Sequence, residues 1–286
     1  MDPFATFVND FVRSMDIAKK AQLGGYAPCA RPQLPPNARK ALIFSPHPDD
    51  ECIVGGVALR LLREAKMNVI NVAVTQGSNK ARQAARLAEL QGACNYLGFG
   101  LIQVCEGGLE KINPKGRASA PDNWAAAVRT ITAILRREKP SVVLFPHEAD
   151  WNTTHMGVHD LVFDALGTLG TELDCYVVEN EFWAPLANPN LMVEISAADL
   201  IDLITATSFH VGEVERNPYH LGLPAWMRDN VRRGGELVGG QGGAVPEFPF
   251  AALYRLRKWQ GGAIQSVLDA GRIVNDKENV AVLFPA

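Results

Sequence analysis

An α/β three-layer sandwich built on a mostly parallel, Rossmann-like sheet is the fold class this sequence predicts. Between residues 40 and 180, short apolar runs of strand length alternate with stretches of helical periodicity. The first of them, Ala41 to Ser45, is continuous rather than alternating, as in a strand buried on both faces. The connections are short, as in crossovers that return each strand to one parallel sheet.

The elements follow in order. From Met1 to Lys20, Phe4, Phe7, Val8, Phe11, Val12 and Met15 recur at helical spacing, so an amphipathic helix is expected to pack on the domain. This stretch lacks the uninterrupted apolar core of a signal peptide. Gly24 to Arg39 is rich in Pro, Gly and Ala and reads as a connector. Residues 1–39 are therefore a helix plus connector, and 40–286 a single domain. Strands are predicted at 41–45, 67–75, 101–105, 141–146 and 175–179, with helices at 53–65, 79–97, 123–138, 156–169 and 195–209. The stretch 217–250 is rich in Gly, Pro, Trp, Tyr and Arg with weak periodicity. Residues 210–250 thus read as an irregular loop region over the site, and loops of that length are usually functional.

Composition excludes several classes. Among 286 residues, 28 Lys and Arg stand against 31 Asp and Glu, a net charge of −3. That balance gives no basic footprint for nucleic acid and no polybasic membrane patch. No apolar run approaches the ~20 residues of a transmembrane segment. Five cysteines lie scattered in apolar stretches without a C-x-x-C pair, which points to buried thiols and a reducing cytoplasm. Nothing in the sequence opposes assembly into a homo-oligomer.

Two polar clusters follow predicted strands, where open α/β sheets bind ligands. The first strand ends in Ser45-Pro46-His47-Pro48-Asp49-Asp50-Glu51, so one His and several carboxylates crowd a proline-stiffened turn. Packed carboxylates are costly without a cation, and His with carboxylate is a typical zinc donor set. The plainer alternative is that Asp49 or Asp50 caps the next helix. The fourth strand ends in His147, Glu148 and Asp150, followed by His155 and His159 within 13 positions. His155, at the helix start, is the metal candidate. His159 fits a packed or supporting histidine, His147 a supporting or substrate-facing one, and Thr153 or Thr154 a helix cap.

SPHPDDE resembles the (A/S)HPDDE signature of the LmbE-like or PIG-L deacetylase family, and DWNTTHMGVH resembles that family's second motif. VTQGS after the second strand and RLAELQGACNYLG resemble two further family stretches, so the match spans roughly residues 40 to 185. The resemblance implies a Rossmann-like fold and a divalent metal, usually Zn2+, that supports hydrolysis of N-acetyl groups on glucosamine-containing substrates or of related amides. It assigns His47, Asp50 and His155 as metal ligands, Asp49 as general base and Arg86 as a substrate contact. Arg86 with Glu89 also reads as an ordinary i, i+3 surface pair. One departure stands out: Asn152 occupies a position where the family often has a histidine that steadies the oxyanion. Asn152 can donate a hydrogen bond there but carries no charge. His220 is a second candidate for that role, and Tyr219, Trp226 and Arg228 beside it suit a sugar-binding wall.

The function so implied is metal-dependent N-deacetylation of an amino-sugar or glycoconjugate. Two alternatives remain: an amidase acting on a larger amide, such as a sugar–thiol conjugate or an antibiotic, and a non-catalytic metal-containing sugar-binding protein.

Overall fold

The computed structural model describes residues 2–285; Met1 and Ala286 lie outside it. The chain runs α1 (Pro3–Ala18), β1 (Lys40–Ser45), α2 (Asp50–Ile53), α3 (Gly56–Arg63), β2 (Asn68–Ala73), α4 (Gln83–Leu97), β3 (Gly100–Gln103), α5 (Pro114–Ser119) and α6 (Pro121–Glu138). It continues through β4 (Val142–Pro146), α7 (Thr153–Leu169), β5 (Cys175–Asn180), β6 (Leu191–Glu194), α8 (Ala197–Thr207), α9 (Val211–Val214), α10 (Leu223–Leu237), β7 (Ala251–Gln260), β8 (Ala263–Ser266) and β9 (Arg272–Val274).

One sheet carries the order β3-β2-β1-β4-β5-β7-β6-β9, with β8 attached to β7. Strands β3 to β5 are parallel, and β7 enters antiparallel between β5 and β6. Side chains alternate across the sheet and divide the core into two layers. Ala41, Ile43, Val142 and Leu144 pack with Val57, Leu61, Leu90 and Leu203 on one face. Leu42, Phe44, Val143 and Phe145 pack with Ile131, Leu135, Leu161 and Val162 of α6 and α7 on the other. Strand order reverses at β1, with β2 and β3 to one side and β4 and β5 to the other. Crevices open at the carboxyl ends of strands at such a switch point. Both polar clusters are there, just after Ser45 and Pro146.

Three expectations need correction. Helix α1 forms, with Asp2 Oδ1 accepting the Phe4 N–H at 2.9 Å, but it does not pack on the domain. None of its residues is buried, and Phe4 and Phe7 are 78% and 73% exposed. The connector makes the contacts instead: Gly24 N–H donates to Ser208 Oγ and Cys29 N–H to the Tyr96 carbonyl. Second, the segment expected as irregular loop holds the 15-residue helix α10, with further turns at 211–214 and 219–222. Pro224 sits in the first turn of α10, where a missing N–H costs nothing. Gly234 lies where a Cβ would strike Met192 Sδ at 2.6 Å, so that glycine serves packing rather than a turn. Third, Cys105 is exposed because β3 ends two residues before it; Cys52, Cys94 and Cys175 are buried and Cys29 partly so. No helix among the described residues is long and apolar enough to cross a membrane.

Candidate metal centre and active site

The turn after β1 is held from several sides. Thr75 Oγ1, beyond β2, donates to the Pro46 carbonyl at 2.6 Å, and the His47 N–H donates to Asp50 Oδ2 at 2.8 Å. Asp49 sits at φ 117°, a conformation an L side chain rarely adopts. Such a backbone costs on the order of 1–3 kcal/mol and persists only where its surroundings hold it. Here the Asp49 N–H donates to Glu51 Oε2 at 3.0 Å.

The turn after β4 delivers His155 from the first turn of α7. Asn152 caps that helix, its Oδ1 accepting the Thr154 N–H at 2.9 Å, so neither Thr153 nor Thr154 is the cap. Asp150 Oδ1 in turn accepts the Asn152 N–H at 2.8 Å.

These two turns bring His47, Asp50 and His155 together, with one ligand atom of each lying within 4.8 Å of the others. His155 Nε2 is 3.3 Å from Asp50 Oδ2, and His47 Nδ1 is 3.4 Å from the same oxygen. His155 is fully buried, yet neither ring nitrogen has a hydrogen-bond partner. Buried polar atoms are nearly always satisfied, so this orphaned imidazole beside a buried carboxylate fits a divalent cation. Burial opposes ionisation of Asp50, yet His155 and His47 hold its carboxyl well below the usual range. Burial likewise opposes protonation of His155, and the Asp50 carboxylate overrides it to raise that pKa.

Asp49 stands beside the triad with a different character. Burial and then the neighbouring Asp50 charge push its carboxyl up to about 7. Tyr219 donates its hydroxyl to Asp49 Oδ2. Asp49, His47, Asp50, Arg86, Asn152, Trp183, Glu213, Arg216, Asn217 and Tyr219 line a cavity of about 430 Å³. Arg86 does not pair with Glu89; it donates to the Pro48 carbonyl at 3.0 Å and lies 3.7 Å from Glu213. A separate cavity of about 310 Å³, lined by Lys80, Gln83, Lys111 and Thr154 among others, holds none of these titratable groups.

Other residues singled out in the sequence lie elsewhere. His147 is satisfied by backbone alone, through the Ala184 carbonyl at 3.0 Å and the Ala149 N–H at 3.2 Å. His159 joins Glu148 and Glu179, a group already neutralised by Arg255, whose Nε donates to Glu179 at 2.7 Å. His220 is buried outside the lining of the cavity of about 430 Å³, and burial lowers its pKa. Trp226 stacks on Trp183 with centroids 6.4 Å apart rather than lining the cavity itself. Arg228 faces solvent and donates to the Phe248 carbonyl at 3.3 Å. Helix α10 explains both, since it carries Trp226 and Arg228 away behind the wall. Sequence reasoning missed Trp183, Glu213, Arg216 and Asn217, which no motif marks.

Residues 42–166 match the family model PIG-L: GlcNAc-PI de-N-acetylase. Residues 42–166 are a PIG-L (LmbE-like) region. Solved structures agree on the fold that surrounds it. A conserved protein from Thermus thermophilus is 21% identical with a TM-score of 0.54, covering 75% of this chain and 93% of its own. The 4-carboxy-2-hydroxymuconate hydratase GalB from Pseudomonas putida is 16% identical with a TM-score of 0.58, covering 76% and 95%. The N,N'-diacetylchitobiose deacetylase from Pyrococcus horikoshii is 16% identical with a TM-score of 0.56, covering 77% and 84%. No curated protein matches the sequence significantly. One neighbour is named a hydratase and another a deacetylase, so the PIG-L region's fold leaves the reaction to be argued from its site.

Proposed function

We propose that the chain is a metal-dependent N-deacetylase that removes the acetyl group from an amino-sugar-containing substrate. One observation carries this reading: a strained, buried Asp49 with a raised pKa stands beside the buried His47–Asp50–His155 set in one cavity. His47, Asp50 and His155 would hold the cation, and zinc suits their His₂-carboxylate donors. When bound, such an ion supplies Lewis acidity, polarising an amide carbonyl and making water more acidic.

The remaining work falls to the chain. Asp49 Oδ2 is engaged by Tyr219, so Oδ1 is the atom that takes a proton from the attacking water. Asn152 uses its Oδ1 to cap α7, which leaves its Nδ2 hydrogens free to meet the oxyanion as it develops. Asp49, now protonated, then delivers the proton to the leaving amine nitrogen. Trp183, partly exposed at the cavity, offers an apolar face to a sugar ring, and Arg86 offers donors to its hydroxyls.

The test is acetate release from a panel of N-acetylglucosamine derivatives, with and without a chelator. Wild-type protein should release acetate and lose that activity on chelation. Asp49→Asn should keep its metal and lose roughly 10²- to 10⁴-fold in kcat. Absence of acetate release from every acetylated sugar would remove this reading. A cavity of about 430 Å³ also admits a bulkier acyl group or aglycone, so larger amides belong in the same panel.

A further inference from the structure

The proposed reaction makes no use of a buried pair lying directly beneath Asp49. Glu51 and His210 are both fully buried. Glu51 Oε2 accepts the Asp49 N–H at 3.0 Å, while Oε1 pairs with His210 Nε2 at 2.8 Å and accepts the Cys52 thiol at 3.0 Å. Taking a carboxylate and an imidazole out of water costs several kcal/mol, and an apolar pair of similar volume is often as stable. Stability alone therefore does not explain why these groups are there. Their location does bear on Asp49: they sit under the one peptide of the motif that adopts φ 117°.

We propose that Glu51 and His210 are positioning residues, which hold the Asp49 backbone in its strained conformation and tie it to the cavity wall; this rests on Asp49 being the base. Both grips on Asp49 trace back to one segment. His210 anchors Glu51, which holds the Asp49 N–H, and Tyr219 holds Oδ2. Between them, Glu213, Arg216 and Asn217 line the cavity. The segment is itself fastened to α4, where Glu89 Oε1 accepts the Gly212 N–H at 3.0 Å, and to Arg82, which lies 3.0 Å from Glu213. Base and wall are thus one body, so that a substrate seated on the wall meets Asp49 Oδ1 in a fixed place. A displacement of about 1 Å at such a group costs on the order of 10²-fold in rate.

The experiment compares Glu51→Leu, Glu51→Gln, His210→Leu and His210→Asn with wild type, measuring kcat and KM on any amide the wild type cleaves, zinc stoichiometry, and Tm. In the Leu variants kcat should fall about 10²-fold while KM and zinc content hold. Gln and Asn, which keep hydrogen-bonding atoms, should recover most of the loss. If Glu51→Leu does not fold, the His210 pair gives the same comparison. Zinc loss, a KM that rises in step with the fall in kcat, or amide variants no better than Leu would overturn the proposal. Crystal structures form a second arm that needs no substrate: Asp49 should leave positive φ in the Leu variants and keep it in Glu51→Gln. Should wild type cleave no amide, the deacetylase reading fails, and the Asp49 backbone still decides this one.

Discussion

Asp150 stands behind His155, its Oδ1 lying 3.6 Å from the ring Nδ1. Its other oxygen accepts the Trp183 N–H at 3.1 Å, so a single buried carboxylate borders both the proposed metal-ligand set and the cavity wall. A carboxylate behind a ligating histidine fixes the ring and raises its basicity. Asp150→Ala should lower zinc affinity by roughly 10- to 100-fold, as losses of such outer partners do. Competition against a chelator of known affinity measures this. An unchanged affinity would detach Asp150 from the centre.

Glu179 gives a stability prediction with a defined pH window. Burial opposes its ionisation, but His159, Arg255 and Arg257 hold its pKa at about 2 against 4.5 for an ordinary glutamate. A depressed carboxyl stabilises the fold above the unfolded value, and that contribution disappears as pH falls from 4.5 through about 2. At ~1.36 kcal/mol per unit, it amounts to roughly 3 kcal/mol at neutral pH. Glu179→Gln should therefore destabilise by about that much at pH 7, and the gap from wild type should close between pH 4.5 and about 2. Urea unfolding across that range reads it, and a gap independent of pH would contradict the assignment.

The half of the fold that bears the motifs is legible because its physics is local. Strands β1, β2, β4 and β5 are buried on both faces, so each is dominated by apolar residues, with Asn71 as a buried exception in β2, and the polar turns after β1 and β4 interrupt that pattern sharply. Strand β7 is not legible in the same way. Its Arg255 and Arg257 look solvent-facing until folding supplies Glu179 from a neighbouring strand. Helix α10 hides behind Pro224 and Gly234, residues that read as loop in sequence and as first turn and close packing in three dimensions. The site divides likewise. His47, Asp49, Asp50 and His155 carry a motif, whereas Glu51 meets His210 across 159 residues, a distance no local pattern spans.

Helix α1 should be separable from the stability of the domain. Its side chains are exposed apart from the partly covered Met15 and Ala18, and its hydrogen bonds stay within residues 2–21. Phe7→Ser and Phe11→Ser should change stability by no more than about 0.5 kcal/mol, the usual range for surface positions. Leu144→Ala, in the core of β4, should cost about 2–5 kcal/mol. Chemical denaturation of the three variants makes the comparison. A large loss from either Phe change would mean that the face is covered in solution.

Gly157→Ala sets two effects against each other. Alanine in a helix interior is favoured over glycine by about 1 kcal/mol, and residue 157 lies within α7. A Cβ there, however, would meet the Ile112 carbonyl and come within 2.5 Å of the Asn113 nitrogen. Those are backbone atoms and cannot swing aside as a side chain would. Overpacking of this kind costs about 1–3 kcal/mol, and the rigid neighbour puts the cost toward the upper end, so destabilisation should win. The strain falls two residues after His155, so relief by tilting α7 would move that imidazole away from Asp50. Gly157→Ala should therefore lower both Tm and zinc affinity, and Gly157→Ser should behave similarly. A variant with higher Tm and intact zinc binding would show that the 112–113 loop yields and that helix propensity prevails.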